Sequence, residues 1–243
     1  MDTSTLLERE VAKTQLGEFG LDPNLVLYVP LWKRDGSTFM SEDRYGHLAT
    51  VTGALWRPDG RWFDGVDDRV SIADHSALNF GTSSFSIEFW YQRQAAFSGN
   101  TYPSLFGKKL THFEIAGGGW LITRANDTAL HLLIRGNSAL GYGAILFPLD
   151  TWQHSVWVVS RVDDQITVTC YTNGEQYSTP TTETDAGSVD NTRPLAIYRC
   201  DPNYSASQLT TAGILGEVRL YNRVLSLAEI QHNYQITKWR YSG

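Results

Sequence analysis

Cysteine is scarce. The 243 residues carry two, Cys170 and Cys200, so one bridge at most could form and a disulfide-stapled scaffold is excluded. Two reduced, partly buried thiols are the expectation. Charge is thin as well: 19 % of residues are Asp, Glu, Lys or Arg, and the net charge is -6. Such a chain has no basic surface for a phosphate backbone, which excludes nucleic acid as partner. No run of about 18 apolar residues exists, so no helix is expected to insert into a membrane. The opening MDTSTLLEREVAKTQ has no basic stretch followed by an apolar one and is not read as a secretory signal. Residues His47, His75, His112, His131, His154 and His232 form no i, i+4 helical pair and have no C-x-x-C neighbour, which leaves zinc without a ligand set. A Gly-x-Ser-x-Gly nucleophile elbow is missing, and so is any repeat of solenoid or propeller period.

What is present favours strands and turns. Apolar residues make up 42 %, with 8 Trp, 12 Tyr and 10 Phe, and 21 Gly punctuate them. That is enough for one packed core in one large domain. Residues 4–16 suit a short amphipathic helix, with Thr5 and Glu8 in capping-box spacing, Leu7 and Val11 on one face and Gly17 as the stop. It is too short to be stable alone. Strand patterning starts at Asn24. In FSIEFWYQ, residues 85–92, Phe85, Ile87, Phe89 and Tyr91 alternate with Ser86, Glu88, Trp90 and Gln92, which is strand period. NLVLYVPL (24–31), ATVTGALW (49–56), GRWFDG (60–65), SLFGKK, WLITR, ALHLLIRG, WQHSVWVVS, QITVTCYTNG, PLAIYRC and ILGEVRLYN continue the series, and Asn173-Gly174 marks a hairpin. The last element, LSLAEIQHNY (225–234), is helical, with Ser226 as N-cap, Glu229 as its capping-box partner and Leu225 and Ile230 as a hydrophobic staple. The pattern predicts an all-β antiparallel sandwich, residues 24–243, with an N-terminal helical arm, residues 1–23, and a short C-terminal helix.

Six segments in this order resemble the concanavalin A-like jelly roll in its laminin-G-like branch: LVLYVPLW, GALW…FDGVDDRVSI, FSIEFWY with LFGK, TWQHSVWVVS, CYTNG and EVRLYNRVLSLAEI. The resemblance spans about Leu25 to Tyr234 and implies that fold. The chain departs from the family in two places. Ile197 is followed by Tyr198 where the family has glycine, and the closing strand reads Leu215-Gly216-Glu217 where it has Ile-Asp-Glu. An aspartate that family members often place near a metal is therefore missing.

FDGVDDRVSI carries Asp64, Asp67 and Asp68 within five positions. Aspartates at a turn bond backbone N–H groups nearby with no ligand present. The alternative, which the resemblance implies, is a structural calcium bound by carboxylates and carbonyls. On that reading Asp64 and Asp43, in SEDRYG, are the candidate ligands, and no other cofactor is required. Sugar cleavage needs two carboxyls about 5–5.5 Å apart in a retaining enzyme, and one strand supplies them cheaply only at even spacing. Glu88 and Glu217 each stand alone on their strands, so no enzyme activity is expected. Aromatics in polar loops are the candidate ligand-binding residues: Tyr102 with Asn100, Trp120 in AGGGW, Tyr142 with Asn137, and Tyr204 with Asp201 and Asn203. A ring can cover the C–H face of a sugar while amides bond its hydroxyls; the same rings could instead pin long loops to the sandwich.

The sequence therefore favours a noncatalytic lectin-like module for binding and assembly, with a glycan or a neighbouring protein surface as partner. A homo-oligomer or attachment to a larger particle through residues 1–20 is expected. The competing reading is a purely structural virion component, because an unsignalled chain with one lectin-like domain and a loose arm resembles capsid or tail accessory proteins of bacterial viruses. That would place it on a virion surface, and otherwise in the cytoplasm. Glycoside hydrolase is the third reading.

Overall fold

The computed structural model describes residues 22–33, 35–95, 104–108, 118–126, 128–135, 139–185, 187–198 and 212–241. The predicted helix at residues 4–16 lies outside them.

Two antiparallel sheets face one another. The first joins β1 (Leu25–Pro30), β4 (Leu55–Arg57), β5 (Gly60–Phe63), β7 (Phe85–Arg93), β12 (Trp152–Val162), β13 (Gln165–Thr172), β14 (Glu175–Gln176), β15 (Thr181–Thr184) and β17 (Gly213–Tyr221). Its main path runs β14-β13-β12-β7-β17-β5-β4, with β1 also on β17 and β15 on β13. The second sheet runs β11 (Ala139–Leu146), β10 (Ala129–Arg135), β9 (Gly119–Asn126), β8 (Ser104–Gly107), β16 (Leu195–Ile197), β6 (Arg69–Ile72), β3 (Leu48–Thr52) and β2 (Thr38–Met40). One helix, α1 (Leu227–Thr237), follows β17.

The alternation along β7 builds the core. Phe85, Ile87, Phe89 and Tyr91 point between the sheets and join Trp157, Val218, Leu220, Phe106, Trp120 and Ile122. Phe89 stacks on Trp157 with ring centroids 5.5 Å apart, and fully burying one such side chain contributes about 1.5–3 kcal/mol. The opposite face of β7 is buried too. Ser86, Glu88 and Trp90 lie beneath α1, where Leu225 and Ile230 pack with Tyr28, Val156 and Tyr221 in a second apolar cluster. The staple pair thus performs its expected task, and Ser226 and Glu229 form the full capping box.

Two segments depart from the reading of the sequence. ATVTGALW is two strands in different sheets, β3 and β4. The chain turns the corner at Gly53, which has φ +75°; a side chain there would overlap Asp68 Oδ1, so only glycine fits. Tyr142 was expected in a loop. It lies in β11 opposite Leu132 of β10, because the small residues around it pair as a strand rather than turn.

Candidate functional site

The two strand glutamates that stood alone in sequence are brought together. Arg219 is paired directly with Glu88 across β7 and β17, and Glu217 is paired with Trp90. A bulge between Leu215 and Glu217 shifts the register by one residue, which puts Glu217, Arg219 and Tyr221 on the α1 side and Val218 and Leu220 in the core. Arg219 then spans both carboxylates: Nη1 donates to Glu88 Oε1 at 2.8 Å and Nη2 to Glu217 Oε1 at 3.0 Å.

The remaining oxygens are also taken. Glu88 accepts from His154 Nε2 at 2.9 Å and, from α1, Asn233 Nδ2 at 2.8 Å. Glu217 Oε2 accepts from the Tyr28 hydroxyl at 3.1 Å and Trp32 Nε1 at 3.3 Å. Both glutamates are 0 % exposed. Burial alone would raise the Glu88 carboxyl, but Arg219, with His154 and Asn233, outweighs it and brings the group down to about 2. Burial pushes the Tyr28, Tyr221 and Tyr241 hydroxyls up. This is a closed ion network that clamps the C-terminal helix onto the sheet.

Asp64, Asp67 and Asp68 form the one group of metal-competent side chains among the described residues, with one ligand atom from each lying within 4.8 Å of the others. Part of this cluster is turn chemistry. Asp64 Oδ1 accepts from Val66 N–H at 2.7 Å, and Asp68 Oδ2 accepts from Asp64 N–H at 2.9 Å. Burial, set against the bond from Asp64 and reinforced by the charges of Asp64 and Asp67, raises the Asp68 carboxyl. Asp43 is not in this group. Its Oδ1 accepts from Tyr45 and Gly46 N–H and its Oδ2 from Tyr28 N–H at 3.1 Å, so it ties the loop before β3 to β1. The missing aspartate at 216 has a cause in packing: a side chain on Gly216 would overlap the Tyr241 ring.

Trp120, expected as a loop ligand residue, lies on β9 at 1 % exposure, with Phe106 edge-on at 5.9 Å. Its ring presents no face to solvent, because it fills the gap between the sheets. Tyr142 is placed by its strand, while Asn100, Tyr102, Asn137, Asp201, Asn203 and Tyr204 lie outside the described residues. Cys170 is a buried free thiol, pushed up to about 12 by burial. Two exposed tryptophans escaped the sequence reading. Trp56 lies in the strand segment ATVTGALW, and Trp239 lies between Lys238 and Arg240, just past the helix, which is the available signal for it.

Two facing antiparallel sheets in this strand order, with a helix sealing one outer face, define a lectin-like β-sandwich. The chain belongs to the concanavalin A-like lectin/glucanases superfamily, whose Laminin_G_3 domain matches residues 64–231. Among curated proteins none matches. Solved structures similar to it include the binding domain of Paraclostridial Mosquitocidal Protein 1 (15 % identity, TM-score 0.62, covering 87 % of this chain and 52 % of that one). The binding domain of botulinum neurotoxin serotype G matches at 12 % identity and TM-score 0.67, over 88 % of this chain and 51 % of that one. Trypanosoma rangeli sialidase in complex with sialic acid matches at 18 % identity and TM-score 0.64, over 90 % and 34 %. The chain thus spans about half of the toxin domains and a third of the sialidase, and at these identities the likeness shows the fold alone.

Proposed function

We propose that this chain is a noncatalytic binding module whose ligand is a glycan or a glycan-bearing receptor surface. The observation that carries the reading is the position of Glu88 and Glu217. The two strand carboxylates weighed in the sequence as a possible acid/base pair are buried and committed to Arg219, whereas an acid/base pair must reach the scissile bond. Two of the similar structures are named as toxin binding domains, which supports surface recognition as this fold's use here. The virion reading draws no support from them. The test is a glycan array probed with the labelled chain: the reading expects selective binding to a subset of glycans, and uniform background would contradict it.

A structural cation is a secondary proposal. Three carboxylates within 4.8 Å at one turn repel one another, and a hard dication bound by oxygens would relieve that repulsion. The proposed ligands are Asp64, Asp67 and Asp68, with Asp43 released from the role. Such an ion would brace the β5–β6 turn and take no part in chemistry.

A further inference from the structure

Among the described residues, the surface around the end of the chain exposes an unusual amount of tryptophan. Trp239, in the turn after α1, is 56 % exposed, and Trp56, on the edge strand β4, is 39 % exposed beside Leu55. Trp90, Trp120 and Trp157 are buried in the same molecule, so the fold has room to hide indoles and leaves these two out.

The exposed rings are held as parts of one assembly centred on Trp32. The Trp56 indole N–H donates to the Trp32 carbonyl at 2.8 Å. The Arg240 guanidinium lies over the Trp32 ring at 3.6 Å and over the Trp239 ring at 4.7 Å, so one cation engages both. Its side chain is only 6 % exposed and Nη1 stands 3.6 Å from Glu217 Oε2, which ties this surface to the buried ion network. The Trp239 N–H donates to the Ile236 carbonyl at 2.8 Å.

Both exposed indoles have therefore spent their polar atom internally. What they offer to solvent is ring face and C–H edge, already fixed in orientation, so little side-chain freedom remains to be lost when something binds. Beside Trp32, Lys33 and Glu42 form an ion pair at 2.7 Å and are exposed at 43 % and 27 %. Flat aromatic faces with hydrogen-bonding groups at their edge match a pyranose, which has an apolar C–H face and a rim of hydroxyls. Each nearby cation is already engaged, Lys33 by Glu42, Arg240 by Glu217, Lys238 over the Tyr234 ring and Arg57 over the Trp62 ring, rather than grouped to receive an anion, which favours an uncharged sugar.

We propose that Trp239 and Trp56, positioned by Trp32 and Arg240, form a binding site for a neutral pyranose oligosaccharide, with Lys33 and Glu42 bonding its hydroxyls. This rests on the glycan-binding reading above and locates it on the face that α1 closes.

The test uses the full chain, Trp239→Ala, Trp56→Ala, Trp239→Tyr and, as a control at an exposed apolar residue elsewhere, Leu146→Ala. Each is applied to an array of neutral and sialylated oligosaccharides, and the tightest neutral binder is then titrated by isothermal calorimetry. Melting temperatures verify folding. The expected result is binding of a neutral oligosaccharide by the wild type, a loss of about tenfold or more in Trp239→Ala and Trp56→Ala, partial retention in Trp239→Tyr and no change in Leu146→Ala. If the wild type binds but both alanine variants bind equally well, the site is overturned while the glycan reading stands. Binding of sialylated glycans alone overturns the neutral class. Failure of the wild type to bind any glycan overturns the site and the reading together.

Discussion

Arg219 and Glu88 face each other directly across the β7–β17 ladder, with Nη1 and Oε1 2.8 Å apart and both residues buried. Separated by 131 positions in sequence, they make the interior contact on which the C-terminal helix rests. Removing the cation would leave buried Glu88 without its guanidinium and Glu217 with only the more distant Arg240. Arg219→Met is therefore expected to lower stability by about 3–5 kcal/mol, the range for breaking a buried ion pair, as read from urea midpoints. A loss below about 1 kcal/mol would show that the network contributes little.

Acid should dissolve the same contact. The Glu88 carboxyl is held at about 2 against an ordinary 4.5. A group depressed in the folded state contributes stability that is fully present above its unfolded value and is lost as pH falls through its folded value. The urea midpoint should hold above about pH 5 and fall between pH 4.5 and 2. Glu88→Gln should be less stable at neutral pH and show a shallower acid slope; an unchanged slope would remove Glu88 as the cause.

Much of this architecture was legible in sequence because it is local. The Ser226–Glu229 box, the Leu225–Ile230 staple and the Asn173-Gly174 turn each depend on neighbours a few residues apart, and Asn173 and Gly174 both take positive φ as such a hairpin requires. The alternation in β7 showed which residues face the core, but not that the other face would be covered as well. Glu88 looked solitary because its partners come from β12, β17 and α1. The need for glycine at position 53 was hidden because Asp68, which a side chain there would meet, arrives from another turn. The candidate site was less legible still: Trp120 sits beside glycines yet fills the core, and Trp56 and Trp239 gain meaning only through Trp32 and Arg240.

Calcium can be tested without knowing the ligand. Added calcium should raise the melting temperature and chelator should lower it, since an ion that binds only the folded chain stabilises it by mass action, by about 2.7 kcal/mol at a hundredfold excess over Kd. Asp64→Asn and Asp68→Asn should abolish the response, and Asp43→Asn should retain it. Identical melting in calcium and chelator would leave turn chemistry as the whole role of the cluster.

Gly216 is predicted to tolerate no side chain. Gly216→Ala would press on Tyr241, whose ring is wedged against Trp90 at 4.4 Å and Trp152 at 4.6 Å. The expected cost is about 1–3 kcal/mol, as for other overpacked sites. Adding Tyr241→Ala should cost less than the sum of the two single changes; strict additivity would mean the crowding lies elsewhere.

The central claim is recognition without turnover, and one paired measurement addresses it most directly. The chain is incubated with a panel of polysaccharides and oligosaccharides, including β-glucans and sialosides, and each mixture is assayed for retained protein and for released reducing ends or free sialic acid. Retention on at least one of them with no release is the predicted result. Release above the blank, abolished by Glu88→Gln in a variant that still folds, would contradict it.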